Sequence, residues 1–180
     1  YDVDSPLQDR QAEAILLTLI QEAPKVKSDP RNYEARANIM WSATNALNTL
    51  IGCGVAQDWA THMIGHELTV IHGLDHARTL AIVLPSLLRF QKAHKRDKLA
   101  LYGRRVWNLQ GSDEEVVEKA IDKTEEFFRE TGIGTRFSDY GIDADSCLIA
   151  AERVTSRMGS LGEKGNLDRD AIEKILTNSR

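Results

Sequence analysis

The residues in this chain best equipped for chemistry are its histidines. Four of the five, His62, His66, His72 and His76, fall within fifteen positions. His62 and His66 are four apart, which on a helix puts both on one face. That helix should end near His72-Gly73, and His76 belongs to the first turn of the next. A helix, a tight reversal and a helix start can bring His62 and His76 together. Converging imidazole nitrogens suit a divalent transition ion such as zinc or iron. A single histidine is more often a surface residue or a satisfied core residue, so spacing alone leaves metal binding and ordinary packing both open.

Other motifs narrow the chemistry. His66-Glu67 resembles the start of a His-Glu-x-x-His metalloprotease helix, but position 70 is Val, so a peptidase is disfavoured. Gly65 falls inside the histidine helix, where Gly costs about 1 kcal/mol against Ala. Such a Gly marks close approach, of a second helix or of a ligand. The chain has no Gly-x-Gly-x-x-Gly after a strand, no Walker loop and no serine nucleophile elbow. Any cofactor other than a metal must therefore be held largely by something outside this chain.

The elements that would carry these residues read as helices. Gln8 to Gln21 places Ala12, Ile15, Leu16, Leu19 and Ile20 on one face, and Pro24 with Ser28-Asp29-Pro30 should end it. Tyr33 to Cys53 carries a broad apolar stripe, closed by Gly52 and Gly54. On that stripe Trp41, Leu47, Leu50 and Ile51 are expected in the core, with Leu47→Ala costing about 2–5 kcal/mol. Asp58 can cap a helix over Trp59 to Ile71. Asp75 opens another from His76 to about Ala93, with Pro85 inside it as a kink. Lys98 to Asn108 is amphipathic. Ser112 with early acidic residues opens a helix that runs to Glu130. Asp139 to Ile142 reads as a loop, and Asp145 to Met158 and Asp168 to Asn178 read as two last helices. No strand pattern is visible. The expected fold is all-α, with about seven or eight helices in one domain over residues 1–180.

Totals set outer limits. The chain has 180 residues, 42% hydrophobic and 28% charged, with a net charge of -4. A mildly acidic chain with no basic stripe argues against nucleic acid as partner. The Lys92 to Lys98 segment reads as a solvated helix face. No apolar run approaches the ~20 residues of a membrane span, and no leader is visible. Cys53 and Cys147 make no disulfide framework and are expected as small buried apolar residues, which points to a cytoplasmic protein. The chain starts at Tyr1 rather than Met, with helical pattern already under way, which reads as a fragment or a processed product.

The run Trp59-Ala60-Thr61-His62-Met63-Ile64-Gly65-His66-Glu67-Leu68, continued by His72-Gly73-Leu74-Asp75-His76-Ala77, closely resembles the iron-containing alcohol dehydrogenase family. Within it the likeness is greatest to the branch of YqhD-type NADPH-dependent aldehyde reductases and butanol dehydrogenases. Leu80 to Pro85, Ala35-Arg36-Ala37-Asn38 with Trp41, and Ser138-Asp139-Tyr140-Gly141 extend the resemblance over essentially the whole chain.

The resemblance implies a two-domain enzyme, of which this chain is the C-terminal helical, metal-ligand-bearing domain. A missing N-terminal nucleotide-binding domain is then its main partner, and a homodimer of the full-length protein is an expected assembly. The full-length enzyme would interconvert small aldehydes and primary alcohols with NAD(P)H and a divalent metal, iron or zinc. The two later family ligands map onto His62 and His76. His66 maps onto the residue near nicotinamide and substrate that is proposed to assist proton transfer. His72 has no ligand role. The two earlier ligands, an Asp and a His four residues apart, have no counterpart here, and the matching stretch lies before the position of Tyr1. The chain alone is therefore expected to hold no metal firmly and to be inactive. Two other classes stay open: a non-catalytic helical module with a structural or weak metal site, and a helical metal-dependent hydrolase that uses the histidine cluster.

Overall fold

The computed structural model describes residues 4–143 and 146–179. Among them are eight α-helices and no strand beyond an isolated bridge between Leu161 and Leu167. The helices are α1 (Pro6–Ser28), α2 (Tyr33–Leu47), α3 (Ala60–His72), α4 (His76–Gln91), α5 (Arg96–Arg105), α6 (Asp113–Glu130), α7 (Ser146–Met158) and α8 (Arg169–Thr177). The expected all-α fold is what forms. The helix start expected at Asp145 lies outside the described residues.

Several boundaries differ from the sequence expectation, each for a local reason. α1 runs through Pro24 and stops only at Ser28. The residue before Pro30 is steered to extended backbone, and Asp29 takes it at φ -133, ψ 96. α2 stops at Leu47, six residues early, because Thr49 adopts a left-handed φ of 73 and a short 3-10 turn over Leu50–Gly52 follows. The Asn48 side chain accepts the Leu50 backbone N–H at 3.0 Å and stabilises that break. The loop expected at 139–142 overlaps a 3-10 turn, Phe137–Tyr140. Elsewhere the punctuation acts as read. Ser112 and Glu115 exchange cap hydrogen bonds at the start of α6, and Asp168 accepts from the Ala171 backbone N–H at 2.9 Å to start α8.

The chain divides into two compact units. In the first, residues 1–56 and 96–120, α1 packs against α2 and the turn that follows it. Asp9 of α1 is buried and pairs with Lys98 of α5 at 2.9 Å. Gly103 of α5 lies so near α6 that an added Cβ would sit 2.5 Å from Val116.

The apolar stripe of α2 is not in this core. Trp41 is 68% exposed and Leu47 71%, Met40 and Leu50 are also open, and Ile51 is only half-buried. The expected burial of Trp41, Leu47, Leu50 and Ile51 is thus overturned. α2 meets the rest of its unit through Ala35 and Ser42, its small and polar side. The helical period was right, but nothing among the described residues covers the stripe. Cys53, just past the turn, is likewise exposed rather than buried; Cys147 is buried as expected.

The second unit, residues 57–95 and 121–180, holds the larger core. Ile64 and Leu68 of α3, Ile82 and Leu87 of α4, Val154 of α7, Ile172, Ile175 and Leu176 of α8, and Phe137 are all nearly or wholly removed from water there. Because α3 is walled in by α4 and α7, its outward face is held in a fixed direction. Replacing Ile64 by Ala should cost about 2–5 kcal/mol, as cavity formation does. Leu47→Ala in this same chain should change stability by less than about 0.5 kcal/mol, as exposed substitutions do. Urea titrations of the two variants side by side measure both.

Candidate functional site

The histidine cluster rests on the crossing of α3 and α4. Gly65 faces α4 directly, and an added Cβ would meet Leu80 Cδ2 at 3.0 Å and Thr79 Oγ1 at 3.1 Å. Of the two partners offered for this Gly, the structure gives the helix. Thr79 is buried and donates its hydroxyl to the His76 carbonyl at 2.9 Å, which tightens the first turn of α4 under His76.

The reversal between the helices is equally constrained. α3 ends on Gly73 at φ 67, and its N–H donates to the Thr69 carbonyl at 2.8 Å. Only Gly takes that left-handed conformation without strain. Two residues later the Asp75 carbonyl accepts the backbone N–H groups of Arg78 and Thr79 and starts α4.

The result is three imidazoles together. Ring centroids are 5.3 Å apart for His62 and His76, 4.7 Å for His66 and His76, and 6.4 Å for His62 and His66. His66 and His76 are stacked at 28°. His66 and His76 are exposed, and His62 is half-buried. Burial first, and then the charge that His76 and His66 would carry, hold the His62 imidazole below its ordinary pKa and favour the neutral, donor form. The ring of His72 lies instead beside Phe137, with its Nε2 buried and unpartnered, and burial lowers its pKa as well. His72 thus stands apart from the cluster.

The three rings do not make a complete cage. Among the described residues no group of three or more His, Cys, Asp or Glu side chains is arranged to hold a metal ion. The His62 and His76 imidazoles nevertheless fit a divalent ion as part of a larger ligand set, because their rings converge and His62 is biased against protonation.

Sequence reasoning assigned no role to two features beside the cluster. Trp59 stands at the first turn of α3 with its ring 5.0 Å from His62, edge-on. Glu67 follows His66 and is 3% exposed, yet it is an anion. Its carboxylate accepts from Arg153 Nε at 2.7 Å and from Arg157 Nη1, both on α7. Burial alone would raise the Glu67 carboxyl. The hydrogen bond and charge of Arg153, then those of Arg157, outweigh it and hold the group below its ordinary value of 4.5. The sequence did carry a signal: a Glu between the apolar positions Ile64 and Leu68, and two Arg four apart on one helix face.

Known proteins match over the whole chain. A family model described as Fe-containing alcohol dehydrogenase family, C-terminal, covers residues 3–180. The NADPH-dependent aldehyde reductase YqhD of Escherichia coli (strain K12) is 51% identical over 180 residues, which is 99% of this chain and 46% of that protein. The probable NADH-dependent butanol dehydrogenase 1 of Bacillus subtilis (strain 168) is 32% identical, across 96% of this chain and 45% of that protein. The solved substrate- and cofactor-free form of the aldehyde reductase YqhD from E. coli superposes with a TM-score of 0.95 at 50% identity, across 99% of this chain and 47% of that one. The chain spans less than half the length of these relatives.

Two outcomes test the architecture of the site. Gly65→Val should force α3 and α4 apart and destabilise by about 1–3 kcal/mol, as overpacking does; a thermal melt reads it. The Glu67 carboxyl titrates lower in the folded state, so its stabilisation is full above pH 4.5 and is lost as the pH falls below that through the folded value. Wild type should therefore lose more stability on acidification through this range than Glu67→Gln. Removing both Arg153 and Arg157 strands a buried carboxylate and should cost about 3 kcal/mol at neutral pH, the low end for buried pairs because both guanidiniums are partly in water.

Proposed function

The chain belongs to the iron-containing alcohol dehydrogenase family, as its C-terminal part, and from that membership we propose that it supplies half of a metal site and a proton-transferring histidine to an enzyme interconverting aldehydes and primary alcohols. The observation that carries the proposal is the convergence of His62, His66 and His76 on one exposed face. His62 and His76 are the metal ligands, and iron or zinc suits neutral nitrogen donors. Bound there with the rest of its ligands, the ion supplies Lewis acidity for the substrate oxygen, and NAD(P)H held by the rest of the full-length protein supplies the hydride.

This chain's own side chains then have separable tasks. His62 and His76 hold their nitrogens in place through the Gly65 crossing and the Thr79 hydroxyl. His66 is one turn from His62, stacked on His76 and open to solvent. It gives a proton to the alkoxide oxygen as the aldehyde is reduced, and takes one back in alcohol oxidation. Glu67, locked to α7, keeps the helix under both residues from rotating.

The nucleotide-binding part lies in the remaining length of the full-length protein, as the share of its relatives that this chain spans supports. The uncovered stripe of Met40, Trp41, Leu47 and Leu50 is the surface on which that part docks. A second copy of the full-length protein completes a homodimer elsewhere.

In the full-length enzyme, His62→Ala or His76→Ala should abolish metal retention and aldehyde reduction together. His66→Ala should keep its metal and lose about a hundredfold or more in kcat, the usual worth of a positioned acid–base group. Elemental analysis beside an NADPH-oxidation assay decides. Equal metal loss in all three variants would make His66 a ligand rather than a proton donor, and full metal with normal turnover in His62→Ala would overturn the site.

A further inference from the structure

The face of α3 that carries the imidazoles also carries an apolar side chain without a task. Trp59 is at the N-terminal edge of α3 and 44% exposed. Offsets of three, four and four residues put Trp59, His62, His66 and Val70 on one arc of the helix surface. Val70, at the far end, is also exposed. The opposite arc of α3 already buries Ile64 and Leu68 completely. Core packing therefore does not explain a large aromatic on the outer arc.

The backbone that presents the indole is fixed on both sides. Asp58 accepts the Ala60 backbone N–H at 2.8 Å. The same carboxylate pairs with Lys95 at 3.0 Å, and Lys95 is held at 2.6 Å by Glu163. All three of these side chains are largely shielded from water. The indole is thus carried by a braced turn and rests edge-on against His62, ring centroids 5.0 Å apart.

We propose that Trp59 is a specificity-determining residue whose indole forms the apolar wall along which the hydrocarbon chain of the aldehyde lies. The inference rests on the function proposed above and adds the part of the substrate it left undescribed. An aldehyde has a polar end and an apolar end. With the oxygen drawn to the His62–His76 side, the carbons beyond the carbonyl fall within reach of a ring packed on His62. A methylene fully removed from water gains on the order of fourfold in binding, and one laid against a single wall gains about twofold.

The test compares wild type, Trp59→Phe and Trp59→Ala full-length enzyme with ethanal, butanal and hexanal. Wild type should gain about twofold in kcat/KM per methylene, or roughly sixteenfold from ethanal to hexanal. Trp59→Ala should flatten that rise, mainly through KM, while Trp59→Phe keeps most of it. Metal content should be equal in the three proteins. Replacing the metal by cobalt gives a readout free of turnover: quenching of tryptophan emission should be weaker in Trp59→Phe than in wild type. Equal losses on all three aldehydes, metal loss in Trp59→Ala, or identical quenching would overturn the assignment and make the ring a prop for His62. A flat chain-length series in an otherwise active wild type would sink this inference alone. A wild type that reduces none of the aldehydes would sink the proposed function, and this with it.

Discussion

Everything at the histidine face depends on how closely α4 can lie across α3. That distance is set by the missing side chain of Gly65, with Thr79 and Leu80 filling the space a Cβ would occupy. Helices with ordinary side chains at their contact stand 8–10 Å apart, and small residues allow the lower end. Close approach brings the first turn of α4 level with the middle of α3, and so sets His76 against His62 and His66. The helix-propensity cost of a mid-helix Gly is offset by that contact. Here the sequence breaks a local rule for the sake of a site.

The second constraint is rotational. A helix packed only through apolar contacts can slip by fractions of a turn, which would sweep His62 and His66 away from His76. Glu67 removes that freedom because its buried carboxylate has one satisfactory position, between Arg153 and Arg157. Buried charge is a poor source of net stability, but it discriminates strongly between one arrangement and its neighbours. In the second unit this ion cluster and the Arg89–Glu125 pair at 2.8 Å join elements that lie far apart in sequence.

Helices and caps were readable because they are local. Gly73, Asp58, Ser112 and Asp168 act within a turn of themselves, and each does what its type predicts. The close spacing of His62, His66 and His76 was readable for the same reason. What failed was non-local. The stripe of Trp41 and Leu47 announces that something apolar must cover α2, but periodicity cannot say whether the cover belongs to this chain. Nor could spacing show that Glu67 would find its counter-ions some ninety residues downstream. Thr49 ended α2 early by taking a left-handed backbone that its residue type disfavours, and no propensity argument anticipates such an exception.

The distance between Glu67 and its arginines has a bearing on how the protein is made. A ribosome releases the histidine helix well before α7 and α8 exist, at about 5–20 residues per second. Through those seconds α3 has neither its ion clamp nor the wall formed by Ile172, Ile175 and Leu176, and part of its apolar arc is bare to solvent or to a chaperone. Later still comes Ser179, whose carbonyl accepts the Phe137 backbone N–H at 2.9 Å and ties the segment after α8 to the core. Until α7 and α8 have emerged, the nascent chain thus carries a histidine helix that is complete in sequence but unanchored.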